Sequence, residues 1–560
     1  MRLCTVVSVV SVVIWTGCST SRESLRESSG PPPLFEDIGH YARWVQTDVD
    51  EAKLYFNQGL TWAFAFNHDE AIRSFTEAAR LDPNCAMAYW GIALCNGPHI
   101  NNPVMMPDRS TAAWQAAQKA LALIDRVSYP EAQLIKAVAA RYSPEHTDDR
   151  RALDEAYASA MKEVYELDVN DADVGTLYAE SLMDLQPWDL WAKDGSPKGR
   201  TEEIIAVLEH ALRINPNHPG ANHLYIHAVE ASPNPERGIA SADRLRDLVP
   251  ISGHLVHMPS HIDVQVGEWA KASDTNERAI AADERYRRIS PKQGFYSVYM
   301  AHNRHFLAFS SMMEGRYALA IKAAREMIDS IPPEFIRDQG AFADPFMSIV
   351  FDVQKRFGRW DDILREPKPR GRLPISMVMY HFTRGVAHAA KGSVASARNE
   401  QKAMRAAVKK VPAGALTGIN PAEKVLQIAD KFLEGEILYR ERKLDEAFAV
   451  LREAVAIEDD LLYMEPPEWI QPVRHALGAF LTAEKQYAQA EQVYREDLKI
   501  WPENGWSLHG LAVCLKAQGK TAEAADVEAR FAKAWSRADV SIDSSCFCAP
   551  GARSCCELGR

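Results

Sequence analysis

Along most of the chain apolar residues return every three or four positions over stretches of about 12 to 18 residues, and short polar turns separate the stretches. Strand-like alternation is almost absent, so the pattern predicts an all-α chain of amphipathic helices paired across turns. The clearest pair runs from Tyr55 to Leu94. Gly59, Ala71 and Ala78 are small enough to let two helices approach, Phe75 fills the gap between them, and Pro83 closes the second helix. A small residue in the first helix followed twelve positions later by one in the second recurs along the chain. The pairs are Gly59 with Ala71, Ser260 with Ala272, Ala308 with Ala320, Gly385 with Ala397, Gly435 with Ala447, Gly478 with Ala490, and Ala512 with Ala524. Ile226 with Gly238 fits less well at its first member. From Gly478 to Ala512 the step is 34 residues, with Leu477 returning as Leu511 and Leu481 as Leu515.

This spacing resembles the tetratricopeptide repeat family, and over most of its length the chain is similar to bacterial tetratricopeptide lipoproteins of unassigned activity. The resemblance implies a solenoid of antiparallel helix pairs wound as a right-handed superhelix, in one or two arrays, with the first helix of each pair lining a concave groove. Between Asn101 and Asn217 the units are looser, with helices expected over Tyr129 to Tyr142, Leu153 to Leu167, Val174 to Leu185 and Thr201 to Ile214. An insertion, QPWDLWAKDGSPKGR, follows the third of these. Residues 34–366 are expected to form an N-terminal array ending in a degenerate unit at Pro345 to Leu364. PKPRGRLP at 367–374 is then a linker, and 375–540 a C-terminal array.

The first 17 residues carry Arg2 and an apolar run from Val6 to Trp15, which fits a secretory signal and is short for a membrane span. Thr16-Gly17-Cys18 resembles a bacterial lipoprotein box, which implies lipidation of Cys18, a flexible tether over 18–33, and, with Ser19 next, an outer membrane facing the periplasm. Trp15 departs from the aliphatic residue usual in such a box. Cys85 and Cys95 lie ten residues apart in one expected helix, about 15 Å and too far to bridge. Residues 541–560, with Cys546, Cys548, Cys555 and Cys556, read as a disordered tail, with a thiolate clip or disulfides as the other readings.

Seven of the 17 histidines fall in three groups, NHLYIHAVE, GHLVHMPSHI and HNRHF. On a helix, His223, His227 and Glu230 share one face, as do His254, His257 and His261, and then His302 and His305. His223 to His257 and His227 to His261 are both steps of 34, so the first two groups occupy equivalent places in the repeat. Family register puts all seven on groove positions, where rings from neighbouring helices about 8–10 Å apart can converge. Imidazole and carboxylate donors without thiolate suit zinc, copper, iron or manganese, and eight side chains suit one or two ions. Glu180 and Asp184, in the preceding unit, are expected to accept hydrogen bonds from the ligating rings. His475 and His509 read as isolated groove residues, and His381 and His388 as core. Trp62, Tyr89 and Trp90 read as packing, with a ligand pocket as the other reading.

Other chemistry is set aside, except that histidine-only axial ligation of a non-covalent haem stays open. NHLYIHAVE lacks the glutamate of HExxH, and GKT at 519–521 lacks the earlier glycine of a phosphate loop. There is no GxSxG elbow, dinucleotide fingerprint or CxxCH. A net charge of −12 with no basic run argues against nucleic acid as a partner. Three readings follow: a groove protein whose histidine cluster binds a transition metal, a metal-dependent hydrolase or oxidoreductase on the same scaffold, or a metal-free scaffold for a protein or peptide.

Overall fold

The structure, a computed structural model, describes residues 31–290 and 293–552. The signal, the Cys18 lipid site, most of the tether, Cys555 and Cys556 lie outside them. The described chain is an all-α solenoid of antiparallel helix pairs, with a single two-stranded hairpin at Leu416–Thr417 and Asn420–Pro421 among the described residues. No described helix is long and apolar enough to cross a membrane.

The twelve-residue register holds. Ala71, Ala272, Ala320, Ala397, Ala447, Ala490 and Ala524 are all buried. A Cβ on Gly59 would lie 2.8 Å from the Phe75 ring and one on Gly91 2.6 Å from it, so the aromatic is clamped between two glycines, each 16 positions away. Gly478, Tyr494 and Gly510 repeat that arrangement at the same spacing. The repeat is therefore tetratricopeptide-like in its packing and not only in its periodicity. Helices start where side chains satisfy loose backbone N–H groups: Asn67 accepts from Glu70, Asp171 from Asp173 and Val174, and Ser252 from Leu255.

The chain divides into two compact units, with boundaries unlike those expected at 367–374. Of the described residues, the larger takes those in 32–331, 356–359 and 465–552, and the smaller those in 332–355 and 360–464. In the larger unit the helix pairs from Asp50 to Ser330 are joined by Val473–Ala483, Tyr487–Ile500, Gly505–Ala517 and Thr521–Ala534. Trp506 donates its indole N–H to Met312 O at 2.9 Å, and Trp269 to Pro502 O at 2.8 Å. These two bonds tie sequence-distant helices together, so the 367–374 break is a loop inside the smaller unit. That unit is built on the pairs Pro374–Ala390 with Val394–Val408 and Ala422–Arg440 with Leu444–Asp459.

The tail also differs from expectation. Ser545 to Ala549 are buried, Cys546 and Cys548 form a disulfide, and Ser545 bonds Tyr494 and the His475 carbonyl. Cys85 and Cys95 are free buried thiols.

Candidate metal centre

The histidines arrive on three supports in the larger unit. Pro219–Val229 carries His223 and His227, and Glu230 caps its C-terminal end. The second group was expected on one helix. Pro259 instead splits it into Gly253–His257 and Pro259–Gln265, with Met258 at the joint. Ser297–Met313 carries His302 and His305.

The family register puts these rings on a groove face, yet the structure buries them. His223 and His257 are 0% exposed, His254 and His261 2%, His227 5%, His305 7% and Glu230 1%, and only His302 is half-buried. The cover comes from far away in sequence. Phe66, in a turn after Asp50–Phe64, lies 4.5 Å from the His223 ring and 4.3 Å from His99. Trp188, from the insertion, stands 5.1 Å from His227 and is held by its indole bond to Ile100 O. Tyr299 lies 4.1 Å from His254, and Phe306 5.0 Å from His257.

Two triads result, His223 with His227 and His254, and His257 with His261 and His302, each offering donor atoms all within 4.8 Å of one another. His223 Nε2 lies 3.2 Å from His254 Nε2. His257 Nε2 lies 2.8 Å from His261 Nε2 and 3.1 Å from His302 Nε2. The far side of four rings is fixed by an acceptor. His223 Nδ1 is 2.8 Å from Phe64 O, His227 Nδ1 2.8 Å from Glu230 Oε1, and His257 Nδ1 2.7 Å from Asn276 Oδ1. His261 Nδ1 bonds Glu230 Oε2. Asn276 donates its amide N–H to Ala272 O at 2.8 Å, so its oxygen faces His257 and must accept. With each Nδ1 hydrogen committed, the Nε2 lone pairs of those four rings point inward.

That arrangement frustrates hydrogen bonding. His257 Nε2 has one lone pair and two nitrogen neighbours, so one proton satisfies a single contact, whereas a cation among the three satisfies all. In the first triad His227 Nε2 and His254 Nδ1 are buried with no hydrogen-bond partner. Glu230, His227 and His261 also lie close enough together to hold an ion. Their Nδ1 contacts are hydrogen bonds, however, so Glu230 joins one ring of each triad as a shared acceptor.

Burial and neighbouring histidines hold His223, His254, His257 and His302 well below the ordinary imidazole value, and burial lowers His227. These rings are neutral at neutral pH, as ligands must be. Burial opposes charge on His261 too, but Glu230 outweighs it and raises that ring. Burial would raise Glu230, and His261 and His227 hold it down to about 2. His305, lowered to about 4 by burial, joins neither triad.

The acceptors expected at Glu180 and Asp184 are elsewhere. Asp184 takes a bond from Arg141 at 2.6 Å, while Glu180 lines a small pocket with His68 and Arg141. The physical reason is that buried Arg141 needs a counter-charge and takes the Asp184 carboxylate. Glu230, the Phe64 carbonyl and Asn276 do the orienting instead. Of these only Glu230 was visible by spacing, since a carbonyl has no sequence signature and Asn276 lies on Trp269–Ile289. His99, buried against Phe66 and His68, was also missed. Among the remaining histidines, His475 is a buried partner of Asp497 at 2.8 Å. His381 bonds Glu400, and His388 is half-buried rather than core. Trp62 and Trp90 are packed inside, as expected.

No protein-family model and no curated protein matches the chain. Among solved structures it is similar to a human IFIT1 dimer with m7Gppp-AAAA at 14% identity and TM-score 0.31, covering 87% of this chain and 91% of that one. It is also similar to the APC/C hetero-tetramer Cut9–Hcn1 at 14% identity and TM-score 0.31, covering 88% and 78%. At that depth neither bears on what this chain binds, and the capped RNA is that protein's ligand.

Proposed function

We propose that the chain is a helical-repeat protein that binds transition metal ions in the buried histidine centre, through His223, His227 and His254 in one triad and His257, His261 and His302 in the other. One observation carries the reading: three Nε2 atoms meet around His257 within 2.8 and 3.1 Å, and the Nδ1 hydrogens of His257 and His261 are already committed to Asn276 and Glu230. Protein nitrogens with inward lone pairs at that separation call for a cation between them.

Because the ligands come from helices joined by long stretches of chain, bound metal ties those helices together. The test is thermal unfolding of the full chain with metal and after chelation. The reading expects chelation to lower Tm and re-addition of metal to restore it, since a ligand bound only by the folded state stabilises it. An unchanged Tm with zinc, copper, iron and manganese contradicts it.

We also propose that a lipidated Cys18 holds this centre at the bacterial outer membrane. The support is the apolar run ending in Thr16-Gly17-Cys18 and the polar segment after it. Mass spectrometry of the N-terminal peptide tests this, and an unmodified Cys18 sinks it.

A further inference from the structure

We infer that the centre is a pair of monovalent copper sites, one in each triad, with the Glu230 carboxylate as the counter-charge they share. This deepens the reading above and rests on it. Three features of the site point to copper in its lower oxidation state and to two ions rather than one.

The first is the donor set. Each triad offers three imidazoles, with no sulfur in either. The shared carboxylate oxygens face Nδ1 atoms of His227 and His261, on the far side of those rings from their Nε2 atoms. That leaves three neutral nitrogens per ion. Zinc in proteins takes four ligands, with water filling an open place; manganese favours carboxylate and water oxygen, and non-haem iron adds a carboxylate to its imidazoles and keeps open positions. A closed-shell monovalent copper ion is content with three nitrogens in a plane.

The second is enclosure. Phe66, Trp188 and Tyr299 roof the first triad, whose His223, His227 and His254 are at most 5% exposed, while Phe306 lies against His257 in the second, where His302 is half-buried. The first triad is thereby shut off from the water a four-coordinate ion would recruit. An aromatic, water-poor wall suits a soft, low-charge ion better than a strongly hydrated dication.

The third is charge and proximity. The triads abut: the His227 and His261 ring centres are 5.7 Å apart and those of His254 and His257 6.2 Å. Repulsion between two ions scales with the product of their charges, so a pair of dications repels roughly fourfold more than a pair of monocations at the same separation. Glu230 bonds one ring of each triad, His227 and His261. It balances half the charge of two monocations and only a quarter of that of two dications.

The experiment uses the metal-stripped full chain under anaerobic conditions. Cuprous ion is titrated in against a coloured cuprous chelator, and zinc in a parallel run. We expect two cuprous ions per chain, and retention of both against a tenfold excess of zinc. X-ray absorption of the loaded wild type should give three nitrogen neighbours per copper, a reading that needs no variant. His223→Gln and His257→Gln should each leave one copper. A stoichiometry of one, displacement by zinc, or four or more ligands per copper overturns the inference while leaving metal binding intact. A folded chain that retains neither metal overturns the inference, and one that also retains neither iron nor manganese overturns metal binding with it.

Discussion

His257 carries the densest part of the account. Its Nδ1 is anchored by Asn276 at 2.7 Å and its Nε2 meets two other rings. Asn276→Leu removes the acceptor and leaves a buried N–H unpaired. We expect a loss of about 1–3 kcal/mol in stability and a roughly 10–100-fold weaker metal site, read by denaturant unfolding and metal titration; a stability loss with unchanged affinity would separate the ring's anchoring from ligation. His305 and His388 make a second comparison, and the structure reverses the order that their repeat positions imply. His305 is buried while His388 is half-buried. His305→Ala should cost about 1–3 kcal/mol and His388→Ala no more than about 0.5 kcal/mol. Equal losses in thermal unfolding would contradict the burial pattern. Protonation separates the triads as well. A ring whose pKa is lowered is already neutral at pH 7, so protons compete with metal only well below pH 6.5; that holds for His223, His227 and His254. Glu230 raises His261, so protons compete with metal at a higher pH in the second triad than in the first. Calorimetry in two buffers should find more proton release as the second triad fills than as the first does. Affinity of the second should fall as pH drops toward 6.5, while that of the first holds.

At the scale of elements, the repeat was open to sequence reasoning because its packing is local. Gly59, Phe75 and Gly91 interlock at fixed spacing, and the same interlock returns at Gly478, Tyr494 and Gly510. Phe75→Ala should open a cavity between three helices and cost about 3–5 kcal/mol, measurable in urea; a loss under about 1 kcal/mol would mean that the ring is not the wedge. The histidine face was legible for the same reason, through the 34-residue steps from His223 to His257 and from His227 to His261. Its pairing was not. Repeat equivalence makes His223 and His257 counterparts, whereas Pro259 breaks the second helix and turns His257 toward His261 and His302. The roof was hidden altogether, because Phe66 and Trp188 reach the site from turns whose positive φ places them by tertiary contact rather than by periodicity. Without that roof the groove was expected to be wet, and the rings are instead buried.

For the whole molecule, the division into 32–331 with 356–359 and the C-terminal helices, against 332–355 with 360–464, was beyond a linear reading. Contacts such as Trp506 to Met312 and Trp269 to Pro502 join residues about two hundred positions apart and follow no local signal. The unit they close contains the whole histidine centre. The central claim is that this centre holds metal, and metal content tests it most directly. The full chain is stripped with a chelator, exposed separately to zinc, copper, iron and manganese, desalted and analysed by mass spectrometry beside the His223→Ala, His257→Ala double variant. The account predicts one or two ions per wild-type chain for at least one metal, and near-complete loss in the double variant, since one ligand is removed from each triad. Wild type that retains none of the four, or a double variant that retains as much as wild type, would contradict it.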